Sequence, residues 1–324
     1  MISNYTYDFL LYKYHTARCE SAPFRESASN EVRGSERKGA WSRHEVHAAV
    51  PVFAFCRNAL ITHPDQSNTY VYIILALVII ILYLCLIHPY GKRKSKAETF
   101  CKNSFAHRGL HDTVPENTIS AFRLAKEAGV GIELDVRLTK DDEVVVFHDE
   151  TLLRAAGRTE KISDLTFSEL QKIPIFGSEE TIPLLSDVLK ETGRAPLLVE
   201  IKAYFECAKL CEKTADILKE HNGNVAVESF SPIVLMWFSK NRPEYLRGQL
   251  SSRFKDEEMR QIPLWERILI SNLLTNFLSK PDFIAYDVRN KNQISFVICR
   301  KIFQVPHLLW TTKCGKKEGC IFEN

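Results

Sequence analysis

Five ionisable side chains lie within or just after short apolar segments near the middle of the chain. Glu133 and Asp135 belong to the segment GIELDV, and Glu200 belongs to APLLVEIK. His107 follows SFA, and His148 follows EVVVF. Carboxylates held together bind divalent cations, and imidazoles transfer protons near neutral pH. These residue types predict acid–base chemistry around a bound cation.

The spacing of these residues predicts that several share one face of a strand. Side chains alternate along a strand, so Glu133 and Asp135 point the same way, as do Glu200 and Lys202. Buried charges without partners would cost several kcal/mol each. Three converging carboxylates therefore need a cation. An all-oxygen ligand set suits Ca²⁺ or Mg²⁺ better than zinc.

From residue 103 onward, short β-branched apolar segments alternate with helical ones. This alternation is typical of βαβ units and a parallel sheet, and the number of units favours a closed (β/α)8 barrel, a TIM barrel of the α/β class. In such a barrel, sites form at the C-terminal ends of the strands. There are nine candidate strands for eight places, so one is an extra. They begin with SFAH, GIELDV, EVVVFH, APLLVEIK and VAVESF and continue with LRGQL, FIAYD, HLLWTT and CIFEN.

Five short motifs in this region resemble those of the glycerophosphodiester phosphodiesterase family. They are AHRG (106–109), PENT (115–118), ELDV (133–136), VVFHD (145–149) and VEIK (199–202). Each tetrapeptide is weak alone, but the ordered set of five is specific. The similarity covers most of residues 104–312, and the arrangement of one apolar helix, a basic stretch and this domain resembles membrane-anchored bacterial members.

The resemblance implies a hydrolase of phospholipid and glycerol metabolism that converts glycerophosphodiesters to glycerol 3-phosphate and an alcohol. It implies an acid–base pair, His107 and His148, and phosphate-binding roles for Arg108 and Lys202. It assigns the cation to Glu133, Asp135 and Glu200. A phosphodiester is a poor electrophile, and a cation and basic side chains neutralise charge on its oxygens. Each proton transfer contributes ~10²–10⁴-fold.

For several other residues near the motifs, the sequence allows two alternative positions or roles. Glu228 shares a face with Phe230 and points either into or out of the barrel. Trp310 either packs near the substrate or belongs to the core. Asn117 either lines the site or caps the next helix. Asp149 is expected to form a turn or cap a helix rather than to bind the cation.

The segment Tyr70–Ile87 is apolar on every face, and no Lys, Arg, Asp or Glu occurs from Gln66 to Gly91. About 20 apolar residues span the ~30 Å hydrocarbon layer, so we predict a single-pass transmembrane helix over 69–90, in preference to a buried core helix or a signal peptide. It follows an uncharacterised, flexible extension (1–68) and precedes a basic linker (91–102) and the barrel domain (103–324). The basic residues after the span predict a cytoplasmic barrel.

Two later segments leave further questions. The apolar stretch Trp265–Phe277 is expected to be a barrel helix, with a surface lying on the bilayer as the alternative.

Only TTKCGKKEGC separates HLLWTT from CIFEN, which leaves no room for a full helix. The last βα unit is therefore shortened, closure of the barrel there is in doubt, and we expect reduced stability.

Composition narrows the functions that remain. The net charge of +3 argues against a nucleic-acid partner, which would require a dense basic face. Besides glycerophosphodiesters, the substrates could be lysophospholipids, cleaved in a lysophospholipase D reaction. A phosphatidylinositol-specific lyase also uses two histidines on a barrel, but the Glu-x-Asp and Glu-x-Lys pairs favour a phosphodiesterase. A membrane-tethered, non-catalytic barrel that binds ligand is the remaining alternative.

Overall fold

A computed structural model describes residues 66–203, 207–253, 263–313 and 319–323 of the chain; residues 1–65 of the predicted extension lie outside this part. The strands are β1 Phe105–Ala106, β2 Gly131–Leu138, β3 Val144–Val146, β4 Leu197–Ile201, β5 Val225–Ser229, β6 Leu246–Ser251, β7 Phe283–Asp287, β8 His307–Thr312 and β9 Cys320–Phe322. The helices are α1 Gln66–Ile87, α2 Lys94–Cys101, α3 Ile119–Glu127, α4 Leu153–Ala156, α5 Phe167–Leu170, α6 Leu185–Thr192, α7 Ala208–Leu218, α8 Pro232–Asn241, α9 Leu264–Ser271, α10 Asn276–Ser279 and α11 Ile294–Lys301. Single 3₁₀ turns occupy Ile162–Asp164 and Val288–Asn290.

Eight parallel strands close into a barrel, which confirms the predicted (β/α)8 architecture. Strands β1, β2 and β4 to β9 pair with their neighbours in chain order, and β1 pairs with both β2 and β9. We call the end of the barrel where these strands begin the base, and the end where they finish the rim. The short connection between β8 and β9 does not prevent closure, because Phe105 of β1 lies in register with Ile321 of β9.

Strand β3 is the extra strand, and it runs antiparallel to β2. The prediction that His148 ends a parallel strand is therefore wrong. Strand β2 extends beyond the rim and turns at Asp142, and β3 returns beside it, with Val146 opposite Val136. This hairpin brings the chain back to the rim, where the Phe147 amide donates to the Asp135 carbonyl at 2.9 Å. His148 reaches the rim by this route.

The base of the barrel interior is filled by aromatic rings that rest against glycines. A Cβ atom on Gly131 would lie 2.6 Å from the ring of Phe105, and one on Gly248 would lie 2.3 Å from the ring of Phe283. Both phenylalanines are fully buried. The absent side chains on β2 and β6 thus make room for rings from the neighbouring strands, and the base is solidly packed.

Helix α2 closes the base from outside, within the stretch predicted as a basic linker. Its Ala97, Phe100 and Cys101 are buried, and the Phe100 ring centroid lies 5.0 Å from that of Phe105. Just before α2, the Arg93 guanidinium donates to the buried Asp282 carboxylate at the start of β7. This stretch is therefore part of the barrel's packing.

Helix α1 has the length and composition of a membrane span. The 20 residues Asn68–Ile87 are strongly apolar, and little of this segment is buried against the protein. Its last turn packs on the barrel, where Tyr83 and Leu84 join a cluster that includes Ile87 and Phe296. Asn276 Nδ2 of α10 donates to the Ile87 carbonyl at 2.8 Å.

Candidate active site

Three carboxylates meet inside the rim of the barrel. Glu133, Asp135 and Glu200 each place an oxygen within 4.8 Å of the others, and all three are buried. Strand alternation produces this cluster, because Asp135 and Glu200 are register partners on the adjacent strands β2 and β4. The set of buried oxygens suits a hard divalent cation.

Two basic side chains share this pocket with the carboxylates. Lys202 Nζ lies 2.8 Å from Glu200 Oε2 and 3.0 Å from Asp135 Oδ1. Arg108 Nε lies 3.4 Å from Asp135 Oδ2, and the Arg108 backbone amide donates to Glu133 Oε2 at 2.9 Å. Two basic side chains thus face three carboxylates.

The imbalance is visible in the pKa values of the carboxyl groups. Burial, followed by repulsion from Asp135 and Glu200, raises the pKa of Glu133 well above its usual value. Burial alone would also raise the pKa of Asp135, but Lys202, His148 and Arg108 outweigh it and hold that pKa well below its usual value. The ionised triad is therefore incompletely compensated by protein charges, and a cation would stabilise it.

His148 is held by an acidic partner next to it in the sequence. Its Nδ1 lies 2.6 Å from Asp149 Oδ1, and Asp149 also accepts from Arg154 Nε at 2.7 Å. A carboxylate accepts hydrogen bonds, so this pairing puts the proton on Nδ1 and leaves Nε2 available. Burial, followed by the charge of Lys202, lowers the pKa of His148 to about 4. Asp149 thus bonds His148 and Arg154 and does not cap α4, which is preceded by Leu152.

His107 is held in a parallel way by a residue that the sequence analysis did not single out. Its Nδ1 lies 2.7 Å from Glu323 Oε2, directly after β9. The other oxygen of Glu323 lies 3.2 Å from His111 Nε2. Hydrogen bonds to His107 and His111 lower the pKa of Glu323, and the bond to Glu323 raises the pKa of His111. Both candidate histidines therefore present Nδ1 to a carboxylate.

Asn117 lines the site, and Thr118 performs the capping role. Asn117 Nδ2 donates to Asp135 Oδ2 at 2.9 Å, whereas Thr118 accepts from the Ala121 amide at the start of α3. Glu116, in the same PENT motif, accepts from Arg108 at 2.8 Å and from Arg154 at 2.5 Å. This loop orients the Arg108 side chain from outside.

Glu228 and Trp310 both belong to the barrel interior. Glu228 is 1% exposed, and its Oε2 has no hydrogen-bond partner among the described residues. Burial, followed by repulsion from Glu133 and Glu200, raises its pKa well above the usual value. Trp310 packs on the base core and makes an edge contact with Phe230, with ring centroids 5.8 Å apart. Glu228 therefore points into the barrel, and Trp310 packs on the core.

The fold brings most of the predicted set to one rim, whereas Trp310 packs on the base core. The residues at the rim are His107, Arg108, Glu133, Asp135, His148, Glu200 and Lys202, with Glu228 buried beside the carboxylates. Sequence reasoning missed Glu323, although Ile321 and Glu323 alternate along a strand as Glu133 and Asp135 do. It also assigned no role to His111, because a lone histidine is usually a surface residue or a satisfied core residue. The assembled groups can neutralise an anionic oxygen, hold a cation and move protons on two sides of a bound ester.

Comparison with known proteins agrees with this geometry. Residues 107–298 match the sequence profile of the glycerophosphoryl diester phosphodiesterase family. A glycerophosphodiester phosphodiesterase of Caldanaerobacter subterraneus subsp. tengcongensis is 40% identical over 157 residues, 45% of this chain and 65% of that protein. The human lysophospholipase D GDPD1 is 33% identical over 153 residues, 43% of this chain and 48% of that protein. The chain thus spans about half to two thirds of these relatives.

Solved structures share the fold. The glycerophosphodiester phosphodiesterase of Thermotoga maritima superposes with a TM-score of 0.52 at 27% identity, over 68% of this chain and 93% of that one. A phosphodiesterase of Oleispira antarctica, solved with the product sn-glycerol-3-phosphate, gives a TM-score of 0.53 at 22% identity, over 70% and 94%. With a sequence profile that covers more than half of its length, the chain belongs to the glycerophosphoryl diester phosphodiesterase family.

Proposed function

We propose that this protein hydrolyses glycerophosphodiesters to glycerol 3-phosphate and an alcohol. The observation that carries the proposal is the meeting of three buried carboxylates, within 4.8 Å of one another, with Arg108 and Lys202 at the rim of the barrel. Such a pocket matches the charge of a phosphodiester bound through a cation. Family membership supports the same reaction.

The basic side chains bind and orient the ester. Arg108 presents a planar fork that can donate two hydrogen bonds to phosphate, and Glu116 holds that fork from behind at 2.8 Å. Burial alone would lower the pKa of Lys202, but Asp135 and Glu200 outweigh it and raise the pKa, so the ammonium stays charged. Both cations then stabilise charge that develops on the phosphate oxygens.

The two histidines move the protons. One imidazole accepts the proton of the attacking hydroxyl, from water or from the glycerol group, and the other donates a proton to the departing alkoxide. Glu323 holds His107, and Asp149 holds His148, each through Nδ1. The Nε2 atoms are thereby left to face the substrate. Glu323 and Asp149 act as positioning residues in this scheme.

Glu133, Asp135 and Glu200 would hold a divalent cation, Ca²⁺ or Mg²⁺. The fit rests on the donor set, because three buried carboxylates with a raised pKa at Glu133 lack sufficient compensating charge from Arg108 and Lys202. A bound cation would supply Lewis-acid polarisation of the phosphoryl oxygen. Glu228 and Trp310 would form the wall against which the glycerol group rests.

A lysophospholipase D reaction is the second candidate. The human relative named lysophospholipase D supports it, and so does the apolar helix α1, which would hold the barrel beside lipid.

We propose a single-pass protein with its span within 69–90, preceded by the extension 1–68. Residues 91–102 and the barrel domain 103–324 would then lie on the cytoplasmic side, since basic residues follow the span.

Hydrolysis by the purified full chain tests the proposal. Glycerophosphocholine and lysophosphatidylcholine are incubated with the protein in Ca²⁺, in Mg²⁺ or in chelator, and phosphate-containing products are measured. We expect release of glycerol 3-phosphate with a divalent cation and loss of release in chelator. His107→Ala and His148→Ala should each lower the rate by ~10²–10⁴-fold.

His221→Asn is the matched control, because His221 bonds the Ala195 carbonyl away from the site. Its rate should equal that of the wild type. Absence of product from both substrates under every condition would favour a non-catalytic binding barrel. An unchanged rate in either catalytic-histidine variant would remove that residue from the scheme.

A further inference from the structure

The contacts of α1 with the barrel reveal its direction. Tyr83 lies beside Ser295, near the start of α11. One turn later, the Ile87 carbonyl accepts from Cys299 Sγ at 3.4 Å, near the end of α11. The two helices therefore run side by side in the same direction.

The direction of α11 relates α1 to the active site. Helix α11 connects β7 to β8, and both strands run from base to rim, so α11 runs from rim to base. The His88 ring, just after α1, contacts Phe303 at the base end of α11, with centroids 4.6 Å apart. The part of α1 that precedes Tyr83 consequently extends past the rim, on the side where the site opens.

Helix α9 also lies at the rim. The Ser251 hydroxyl at the end of β6 donates to the Ile270 carbonyl at 2.8 Å. The Tyr286 hydroxyl, near the end of β7, donates to the Ser271 carbonyl at 2.9 Å. The last turn of α9 is therefore level with the strand ends.

Several apolar side chains are exposed at this level. Leu264, Trp265 and Ile268 of α9 are 64%, 50% and 49% exposed, and their spacing places them on one helix face. Ile294, the first residue of α11, is 70% exposed. The start of α11 adjoins the end of α9, because Gln293 bonds Asn272 at 2.7 Å. We call Leu264, Trp265, Ile268 and Ile294 the rim patch.

We propose that the rim patch contacts the lipid bilayer and that the mouth of the barrel faces the membrane. The occupant is lipid because α1 leaves the barrel on the same side and its exposed surface from Tyr70 to Leu82 is apolar. An amphipathic helix with Trp, Leu and Ile on one face is typical of an interfacial surface. Resting on the function proposed above, this arrangement makes phosphodiesters held in the bilayer the accessible substrate class.

Fluorescence quenching tests the orientation without any activity measurement. The full chain is reconstituted into vesicles of phosphatidylcholine and phosphatidylglycerol, with bromine on the acyl chains near the headgroup. Trp265 is the native probe, and Trp265→Phe removes it. Trp265→Phe/Ile302→Trp places an indole at the base end of α11, where Ile302 is 67% exposed and so matches Ile294.

We expect a quenched component in the wild type that disappears in Trp265→Phe and does not return in the double variant. An unquenched Trp265, as when a protein partner or a second copy covers the rim patch, would overturn the proposal. Equal or stronger quenching of the indole at position 302 would overturn it as well, because the base would then face the lipid.

A comparison of hydrolysis rates on vesicle-bound and dissolved substrates tests whether the rim patch contributes to activity. Trp265→Ser/Ile268→Ser should lower the rate on vesicle-bound lysophosphatidylcholine roughly tenfold relative to the rate on dissolved glycerophosphocholine. Ile302→Ser should keep the wild-type ratio, and a wild-type ratio in the rim variant would count against the proposal. If the wild type cleaves neither substrate, the proposed function fails, while the quenching result still decides the orientation.

Discussion

The base and the rim of the barrel interior are made by the same strands but behave in opposite ways. On β4, Leu198 and Glu200 point the same way and are two residues apart. Leu198 belongs to the apolar base core, whereas Glu200 belongs to the acidic triad. The strand geometry is identical at both levels. A distance of about 7 Å along one strand therefore separates apolar packing, which stabilises the fold, from buried carboxylates, whose mutual repulsion destabilises it.

This difference predicts that substitutions at the two levels have separable effects. Changes at the rim should alter activity and spare or even improve metal-free stability. Changes at the base should alter stability and spare the chemistry of the molecules that remain folded.

Glu133→Gln should produce the largest effect, lowering the hydrolysis rate about a thousandfold or more. The pKa of Glu133 is raised by burial and by Asp135 and Glu200, so its ionisation opposes folding as pH rises above the unfolded-state pKa. In chelator, the variant should therefore melt at a higher temperature than the wild type near neutral pH, and the gain should shrink in acid. Product release and thermal melting at several pH values measure both effects. A lower melting temperature in chelator would contradict the view of a strained rim.

Phe283→Ala at the base should destabilise the fold by about 3–5 kcal/mol, since it empties the space beside Gly248. Denaturant unfolding measures this change, and the rate per folded molecule should stay the same. Phe277→Ala is the control, because Phe277 is an exposed residue of α10 and should cost far less. Equal losses in the two variants would show that the base core is not where stability resides.

Glu323→Gln should lower the rate roughly tenfold, because His107 loses its anionic partner. The effect is smaller than in a sealed site, since the Glu323 side chain is 41% exposed. The raised pKa of His111 should fall towards its ordinary value, and the stabilisation that this pair gives in the wild type below that pKa should be lost. Imidazole NMR titration and rates across pH report both changes. An unaltered His111 titration would argue against the contact.

Lengthening the chain between β8 and β9 by a full helix should have the smallest effect, a gain of about 1 kcal/mol or a few degrees in melting temperature. The added helix would cover the seam at which β9 joins β1. Circular dichroism melting of the two full chains makes the comparison. Equal melting temperatures would refute the expected instability of the short connection.

Much of the placement of the site residues could be predicted, because it depends on positions that are close together in the sequence. Alternation along a strand is enough to place Glu133 beside Asp135 and Glu200 beside Lys202, and parallel pairing brings the two strands together. The reversal of β3 was not predicted, because the alternation of an apolar segment does not reveal the direction in which the strand runs.

Contacts between distant parts of the chain were harder to predict. Glu323 meets His107 only because β9 closes the barrel against β1 in a particular register. The packing of α2 was not predicted, because its basic residues favoured a linker. Ala97, Phe100 and Cys101 nevertheless have the spacing of one buried helix face. Both contacts join segments that are far apart in the sequence, and a local sequence pattern does not predict such contacts.

The hydrogen bond from Asn276 to the Ile87 carbonyl and the ion pair of Arg93 with Asp282 fix the end of α1 to the barrel. A helix turns by about 100° for each residue. One residue inserted after Leu82 would therefore rotate the preceding part of α1 by that angle relative to the barrel, while a full turn of inserted residues would nearly restore its orientation. Tolerance to insertion in this helix should consequently rise and fall with helical phase.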